Sequence, residues 1–303
     1  MLGGAPLGGL FSSVTEDDAL ATFITAWNGG IRAFDTAPHY GVGLAEVRLG
    51  VFLRSLSSEV RGQAVVSSKV GRLLVPTDDN VEGDEGFYGT PLFRRQRDYS
   101  RSGVFRSVEE SLKRIGLEHL DIALIHDPEE HFAAALDEAL PALCELRNQG
   151  LVRAIGVGMN QATSLVRFVR EAELDCVLVA GRWSLLDRSA GRELLPECER
   201  RRIAVFIGGV FNSGVLINPR RGAPYDYAPA PADILARAER LEKICARAGV
   251  PLPAAAVQFP LRHRAVTAVV VGARSPREVR DDLAFLEVEI PEETWDDLEG
   301  ADT

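Results

Sequence analysis

Residues 34–50 read FDTAPHYGVGLAEVRLG. A short apolar run stops at Asp35, a turn carries a histidine and a tyrosine, and a helical pattern opens at Gly43. Such a strand, turn and helix can bury its apolar face only against neighbours like itself. The chain supplies them. β-Branched runs near 2–8, 31–35, 63–69, 121–126, 151–158, 175–180, 203–208 and 266–272 alternate with helical periods near 16–29, 43–56, 104–117, 132–149, 161–171, 188–201, 231–248 and 276–285. Strict alternation predicts parallel strands joined by right-handed crossovers. Eight repeats fit a closed barrel better than an open doubly wound sheet. The reading is therefore α/β: a single-domain (β/α)8 TIM barrel over residues 1–303.

Two stretches break the rhythm: 71–103, rich in Gly, Asp and Arg, and 209–230, rich in Gly, Asn and Pro. Both follow strands at the end where barrels build their sites, so both are expected to be loops over a pocket.

A net charge of −10 sets long-range repulsion against phosphate backbones and anionic lipid, so neither nucleic acid nor membrane is an expected partner. No apolar run reaches the roughly 18 residues of a spanning helix, and MLGGAPLGGLF lacks the basic flank of a signal peptide. A soluble, cytoplasmic protein acting on a small molecule is the expectation, as monomer or homodimer. Cys144, Cys176, Cys198 and Cys245 show no CxxC spacing and read as reduced packing residues.

Four polar residues end apolar strands: Asp35 after IRAF, Lys69 after AVVSS, His126 after DIALI and Asn160 after AIGVGM. Tyr40 follows in the turn beyond Asp35. Barrel closure gathers strand ends around one axis. A phenol of pKa about 10 is too weak an acid to exchange protons near neutrality, and an adjacent ammonium lowers it. Lys69 can do this, with Asp35 as its counter-charge and His126 donating a hydrogen bond to a substrate oxygen. This set moves protons for a carbonyl/alcohol pair and needs a hydride carrier for redox work.

Plainer readings stand beside it. Asp35 can shape a turn, Lys69 can end a strand at the surface, and His126 can cap a helix. A metal at His126, Glu130 and His131 matches no common ligand spacing, and Pro128 breaks the helix it would need, so no metal is expected. GVGLAE imitates a dinucleotide fingerprint, but Glu46 stands where the third glycine belongs and would repel a pyrophosphate.

At these residues the chain resembles the aldo-keto reductase superfamily. FDTAPHYGVGLAEVRLG matches its Asp–Thr–Ala–x–x–Tyr–Gly motif, VVSSKVG its lysine strand, DIALIHDP its histidine strand and LVRAIGVGMN its fifth strand. TAPHYG, SSKVGRLL, DYSRSGVFRSVEESLKRIGL and AGRWSLLD resemble the branch of aldose 1-dehydrogenases that act on L-fucose, D-arabinose or L-galactose. The resemblance implies Tyr40 as proton donor and acceptor, Lys69 and Asp35 as its tuners, and His126 as the orienting residue. It also implies an extended nicotinamide cofactor. Asn160 would hold the carboxamide, the loop Gly209, Val210, Phe211, Asn212, Ser213, Gly214 and Leu216 would cover the pyrophosphate, and the turn with Gly272, Arg274, Ser275, Glu278, Asp281 and Asp282 would surround the adenosine.

Two departures from the family pattern stand out. Gly272 and Glu278 replace the lysine and arginine that hold a 2′-phosphate in NADP-preferring relatives, so NAD is the expected cofactor, with NADP through Arg274 as the alternative. The nicotinamide-binding glutamine falls near Ala180 to Arg182, and the stacking tyrosine falls at Gly208. His39, Arg182 and Trp183 are the expected substrate contacts, although Trp183 equally suits core packing. The expected activity is NAD-linked oxidation of an aldose at C1 to its lactone. Alternatives are an NADP-linked reductase of small aldehydes, ketones or pyridoxal, a Schiff-base enzyme using Lys69, and a cofactor-binding regulatory subunit without turnover.

Overall fold

A computed structural model describes residues 1–226 and 228–301. Its main sheet is a closed barrel of parallel strands in sequence order. These are β1 (Leu2–Gly3), β2 (Ala33–Asp35), β3 (Val65–Val70), β4 (Leu120–His126), β5 (Val152–Met159), β6 (Cys176–Ala180), β7 (Ala204–Gly208) and β8 (Val266–Gly272). The crossover helices are α1 (Glu16–Asn28), α2 (Leu44–Ser55), α3 (Arg101–Ile115), α4 (Leu140–Asn148), α5 (Ala162–Glu171), α6 (Leu194–Arg201), α7 (Ala232–Arg247) and α8 (Pro276–Glu287). The α/β barrel expected from the alternation is thus the observed fold.

Some boundaries differ for local reasons. β1 ends at Gly3 rather than near residue 8, because Pro6, which has no N–H for a strand ladder, opens the 3-10 turn Pro6–Gly8. The helix expected from 188 starts only at Leu194. Before it, Asp187 Oδ1 accepts from Ser189 N (2.9 Å) and Ser189 Oγ (2.6 Å), which holds a turn instead. The stretch 71–103 contains an antiparallel hairpin, Arg72–Pro76 with Phe93–Arg97, and not only loop. Leu252–Gln258 and Glu292–Gly300 are further helices.

The chain forms two compact units. The first comprises Met1–Met159, Glu171–Val177 and Gly272–Arg280. Its core joins α1, α2 and β2 through four aromatic rings: Phe34 and Phe52 stand 5.7 Å apart, Phe23 stacks on Phe52 at 5.4 Å, and Trp27 stacks on Phe34 at 6.3 Å. Each such fully buried ring is worth on the order of 1.5–3 kcal/mol in area alone.

The ends of the quoted stretch explain themselves here. Glu46 is fully buried, accepting from Arg114 Nε at 2.6 Å and Ser68 Oγ at 2.7 Å, so it bolts α2 to α3 and β3. Gly50 lets the same helices touch: a Cβ there would stand 2.5 Å from the Ile115 carbonyl oxygen. The apparent dinucleotide decoy is therefore a packing motif.

The second unit comprises Asn160–Arg170, Leu178–Val271 and Asp281–Thr303. Its apolar core includes Leu185, Leu216, Leu241, Phe259 and Trp295. Gln258 Nε2 donates to the carbonyls of Phe285 (2.8 Å) and Val288 (2.9 Å), capping the chain end of α8. The four cysteines are unbonded, and all but Cys144 are buried. Among the described residues no single helix is long and apolar enough to cross a membrane.

Candidate active site

The parallel register sets Asp35 beside Ser67, and Lys69 beside Leu124, two residues before His126. The C-terminal ends of β2, β3 and β4 therefore deliver Asp35, Lys69 and His126 to one place in the first unit. Tyr40 joins them from the turn after β2. That turn is held by Tyr40 N donating to the Ala37 carbonyl (3.0 Å) and Ala45 N donating to the Tyr40 carbonyl (3.2 Å). Gly41 takes φ +61°, and a Cβ there would stand 2.1 Å from the Gly8 carbonyl oxygen, so any side chain would collide with backbone. The APHYG turn needs its glycine for that reason.

Lys69 is 2% exposed and Asp35 3% exposed. Lys69 Nζ donates to Asp35 Oδ2 at 2.7 Å and to the Thr36 carbonyl at 2.9 Å. Asp35 Oδ1 accepts from Ser67 Oγ at 3.0 Å. The ammonium lies 4.6 Å from the centre of the Tyr40 ring. Burial alone would lower the Lys69 pKa, but the charges and hydrogen bonds of Asp35 and Tyr40 outweigh it and hold the group above the ordinary lysine value. The lysine thus remains a cation. It offers neither the free amine nor the mobility that a Schiff base requires.

His126 stands edge-on to Tyr40, ring centres 5.9 Å apart, and is 6% exposed. Burial first, and the charges of Lys69 and Arg72 next, hold its imidazole well below the usual histidine pKa, so it is neutral. Its Nε2 is 3.5 Å from Asp127 Oδ2, and its Nδ1 is buried without a hydrogen-bond partner among the described residues. A carboxylate beside Nε2 favours the proton there, which makes Nε2 the donor.

His39, expected at the rim, lies 5.4 Å from His126 ring to ring. Its Nδ1 is 3.1 Å from Arg72 NH1, a permanent donor, so Nδ1 accepts and Nε2 carries the proton. Burial, then Arg72, Arg95, Lys69 and Arg97, lower its pKa to about 2.

Several site residues are ones the sequence reading passed over. Arg72 donates from NH2 to Asp127 Oδ2 at 2.7 Å and from NH1 to Glu85 Oε2 at 2.9 Å. Phe87 is buried, 5.1 Å from the His39 ring and 6.3 Å from the Tyr40 ring. The loop carrying it is stitched to the N-terminal segment by Phe11 N to Gly86 O (2.9 Å) and Tyr88 N to Gly9 O (3.0 Å). Tyr99 Oη donates to the carbonyls of His126 (2.7 Å) and Asp127 (3.0 Å), and burial pushes its pKa up to about 12, so it stays a donor. The sequence signals were slender: an arginine after Gly71, an aspartate between His126 and Pro128.

The predicted cofactor contacts divide between the units. In the first, Gly272 is tight against Pro6, where a Cβ would meet the proline ring at 2.8 Å. Ser275 Oγ accepts from Glu278 N (3.2 Å), and Glu278 Oε2 accepts from Arg274 N (2.8 Å). Glu278 is thus part of the cap of α8, and it also stands 3.6 Å from Arg274 Nε, offsetting that charge. Arg274 NH1 donates to Ser12 Oγ at 3.0 Å.

In the second unit, Asn160 follows β5 and its carbonyl accepts from Arg182 Nε (2.8 Å). Arg182 also pairs with Asp226 (3.0 Å) and Asp187 (3.3 Å). Its guanidinium is therefore engaged in holding loops. Trp183 packs on Phe259 (5.2 Å) and His263 (5.5 Å). The loop after Gly208 runs through left-handed backbone at Gly209, Asn212, Ser213 and Gly214. Asn212 is buried, its Oδ1 without a partner among the described residues while Nδ2 donates to the Gly181 carbonyl (3.4 Å). An orphaned buried acceptor fits a ligand that brings hydroxyl or amide donors, as a nicotinamide dinucleotide does. Asp281 and Asp282 lie in α8 and belong to the second unit.

A buried Lys–Asp pair behind a tyrosine, faced by a neutral histidine at the strand ends of an α/β barrel, is an arrangement able to move a proton at a carbonyl or alcohol oxygen. The chain belongs to the aldo/keto reductase family, whose description matches residues 1–303. It is 41% identical to the D-threo-aldose 1-dehydrogenase of a Pseudomonas species, over 99% of this chain and 92% of that protein. It is 42% identical to the pyridoxal 4-dehydrogenase of Microbacterium luteolum, over 98% of this chain and 92% of that protein. Among solved structures, the glycerol dehydrogenase of Gluconobacter oxydans superposes with a TM-score of 0.77 at 24% identity, covering 99% of this chain and 90% of that one. That likeness concerns the fold. The protein is an enzyme of a nicotinamide-using family.

Proposed function

We propose that the enzyme oxidises an aldose at C1 to the aldonolactone, with NAD as the preferred cofactor. The observation that carries the reading is the buried Lys69 ammonium, 2.7 Å from Asp35 Oδ2 and 4.6 Å from the centre of the Tyr40 ring. A cation so placed stabilises a phenolate at Tyr40, which takes the proton of the anomeric hydroxyl. His126 Nε2 donates to the same oxygen and fixes its direction. As the O–H bond breaks, its electron pair becomes the second C1–O bond, and the C1–H pair leaves as hydride. When bound, the nicotinamide supplies the hydride acceptor. Asn160, the loop 209–216 and the turn 272–282 are the residues that would hold the dinucleotide.

The aldose assignment is supported by the 41% identity to an aldose 1-dehydrogenase and by the polar rim of His39, Arg72 and Asp127. NAD is supported by Glu278 beside Arg274, since a guanidinium already facing a carboxylate has less attraction for a 2′-phosphate. A second reading, oxidation of pyridoxal, is favoured by the 42% identity to a pyridoxal 4-dehydrogenase. A panel of aldoses and pyridoxal, each with NAD and with NADP and followed by reduced-cofactor absorbance, tests both. The proposal expects the highest kcat/KM for an aldose with NAD. A higher value for pyridoxal, or for NADP, contradicts it.

A further inference from the structure

Asp127 is built into the site in a way its neighbours do not require. It takes φ +44°, a left-handed conformation uncommon for a residue with a side chain, directly before Pro128. One donor pins this turn: the Tyr99 hydroxyl is shared between the carbonyls of His126 and Asp127. Strained backbone of this sort costs roughly as much as a good hydrogen bond and persists only where the surroundings enforce it. The result of the strain is the position of one carboxylate. Its Oδ2 is held by Arg72 NH2 at 2.7 Å and lies 3.5 Å from His126 Nε2. Among the described residues no hydrogen bond reaches its Oδ1. The side chain is 26% exposed, against 8% for its neighbour His126.

We propose that Asp127, positioned by Arg72, is a substrate-binding residue that selects compounds carrying a hydroxyl on the carbon next to the reacting one. This deepens the proposed function and rests on His126 Nε2 holding the reacting oxygen. A substrate oxygen bound at Nε2 has its neighbouring hydroxyl about one hydrogen-bond length away, the reach of an acceptor placed beside the imidazole. The carboxylate accepts that hydroxyl's proton in a charge-assisted hydrogen bond. Arg72 keeps the acceptor charged and aimed, and also fixes His39 through its other nitrogen. A bound substrate lacking the hydroxyl covers the carboxylate and leaves an oxygen of it unmet, which is how polar pockets reject deoxy analogues. An alkyl aldehyde therefore fits the catalytic groups and pays a penalty at Asp127.

The test compares paired substrates that differ by that hydroxyl, in wild type and Asp127→Asn. In the reducing direction the pair is glycolaldehyde against acetaldehyde; in the oxidising direction it is an aldose against its 2-deoxy counterpart. The wild type is expected to favour the hydroxylated member by at least about tenfold in kcat/KM. In Asp127→Asn this ratio should fall toward one, through a raised KM for the hydroxylated member; any loss that comes through the His126 proton falls on both members and cancels in the ratio. Calorimetric binding of each aldose and its 2-deoxy form to the protein gives a readout free of turnover, and should show the same loss confined to the hydroxylated ligand. Asp127→Glu, which retains the charge, should recover part of the preference.

Equal preference in the wild type overturns the inference, as does an Asp127→Asn variant that keeps the wild-type ratio and the wild-type difference in binding. The two proposals separate cleanly. If no aldose is oxidised, the proposed function fails, and the two-carbon aldehydes and the binding data still decide the role of Asp127.

Discussion

Lys69 Nζ and Asp35 Oδ2 stand 2.7 Å apart with both side chains almost entirely out of solvent. A buried pair of this kind is a poor source of net stability, because desolvating two charges consumes most of what their attraction returns. Its presence at the end of two barrel strands makes sense as an electrostatic device aimed at the tyrosine beside it.

The pair should therefore behave asymmetrically on mutation. Asp35→Asn strands a buried ammonium and is expected to cost about 3–5 kcal/mol, whereas Asp35→Asn with Lys69→Met removes both charges and should recover much of it. Thermal and denaturant unfolding of the single and double variants measure this. A double variant no more stable than the single one would mean that the two charges are not coupled.

Gly50→Ala tests the contact between α2 and α3. The new methyl meets the Ile115 carbonyl at 2.5 Å, and backbone oxygen on a helix end has little room to move. Overpacking of this size is expected to cost roughly 1–3 kcal/mol and lower the melting temperature by several degrees. An unchanged melting curve would show that the helices are farther apart than described.

The histidines predict an acid limb in stability. Burial and then Arg72, Arg95, Lys69 and Arg97 take His39 from 6.5 to about 2. The unfolded chain binds a proton at His39 below about pH 6.5 while the folded one does not, so stability is complete above that pH and falls as pH drops toward the folded value. His126 acts in the same direction. His39 contributes a slope of about 1.4 kcal/mol per pH unit below pH 6. His39→Asn should reduce the slope between about pH 6 and pH 4 by that amount. A slope identical to wild type would mean that His39 is protonated in the folded protein.

Asn212 carries a prediction for the cofactor. Asn212→Gly keeps the left-handed backbone and removes the orphaned Oδ1 together with the Nδ2 bond to Gly181. Stability without cofactor should change by about 1 kcal/mol at most, the value of one ordinary hydrogen bond. Affinity for NADH, read by fluorescence quenching, should fall by about tenfold, as expected for a lost polar contact of roughly 1.4 kcal/mol. Unchanged affinity would remove Asn212 from the dinucleotide site.

How much of this was legible in the sequence follows from where each signal is stored. The strands were readable because most are short runs rich in apolar residues, and Asp35, Lys69 and His126 because each is a charged or polar group at or next to the end of such a strand. Glu46 was legible as a charge that spoils a nucleotide motif but not as a packing residue: its partners Ser68 and Arg114 are distant in sequence, and only folding pairs them. The hairpin in 71–103 was missed because its second strand reads FRRQR, whose charges obscure any strand period. Those arginines find their carboxylates elsewhere, Arg95 with Asp84 and Arg97 with Glu130. Asp127 was hidden for another reason. Before a proline, an aspartate reads as ordinary turn chemistry, and neither its φ nor the Tyr99 hydroxyl that holds it can be inferred from spacing. Glu278 was read from its charge alone, while the Ser275–x–x–Glu278 spacing already spelled a helix cap.

The account turns on proton transfer at Tyr40, and Tyr40→Phe tests it most directly, because the ring and its packing against Lys69 remain while the hydroxyl is lost. Steady-state turnover should fall by 10²–10⁴-fold, with NADH affinity within about threefold of wild type. A variant that binds cofactor normally and still turns over at more than about a tenth of the wild-type rate would contradict the central claim, since general acid–base catalysis by the missing group could then supply no more than about tenfold.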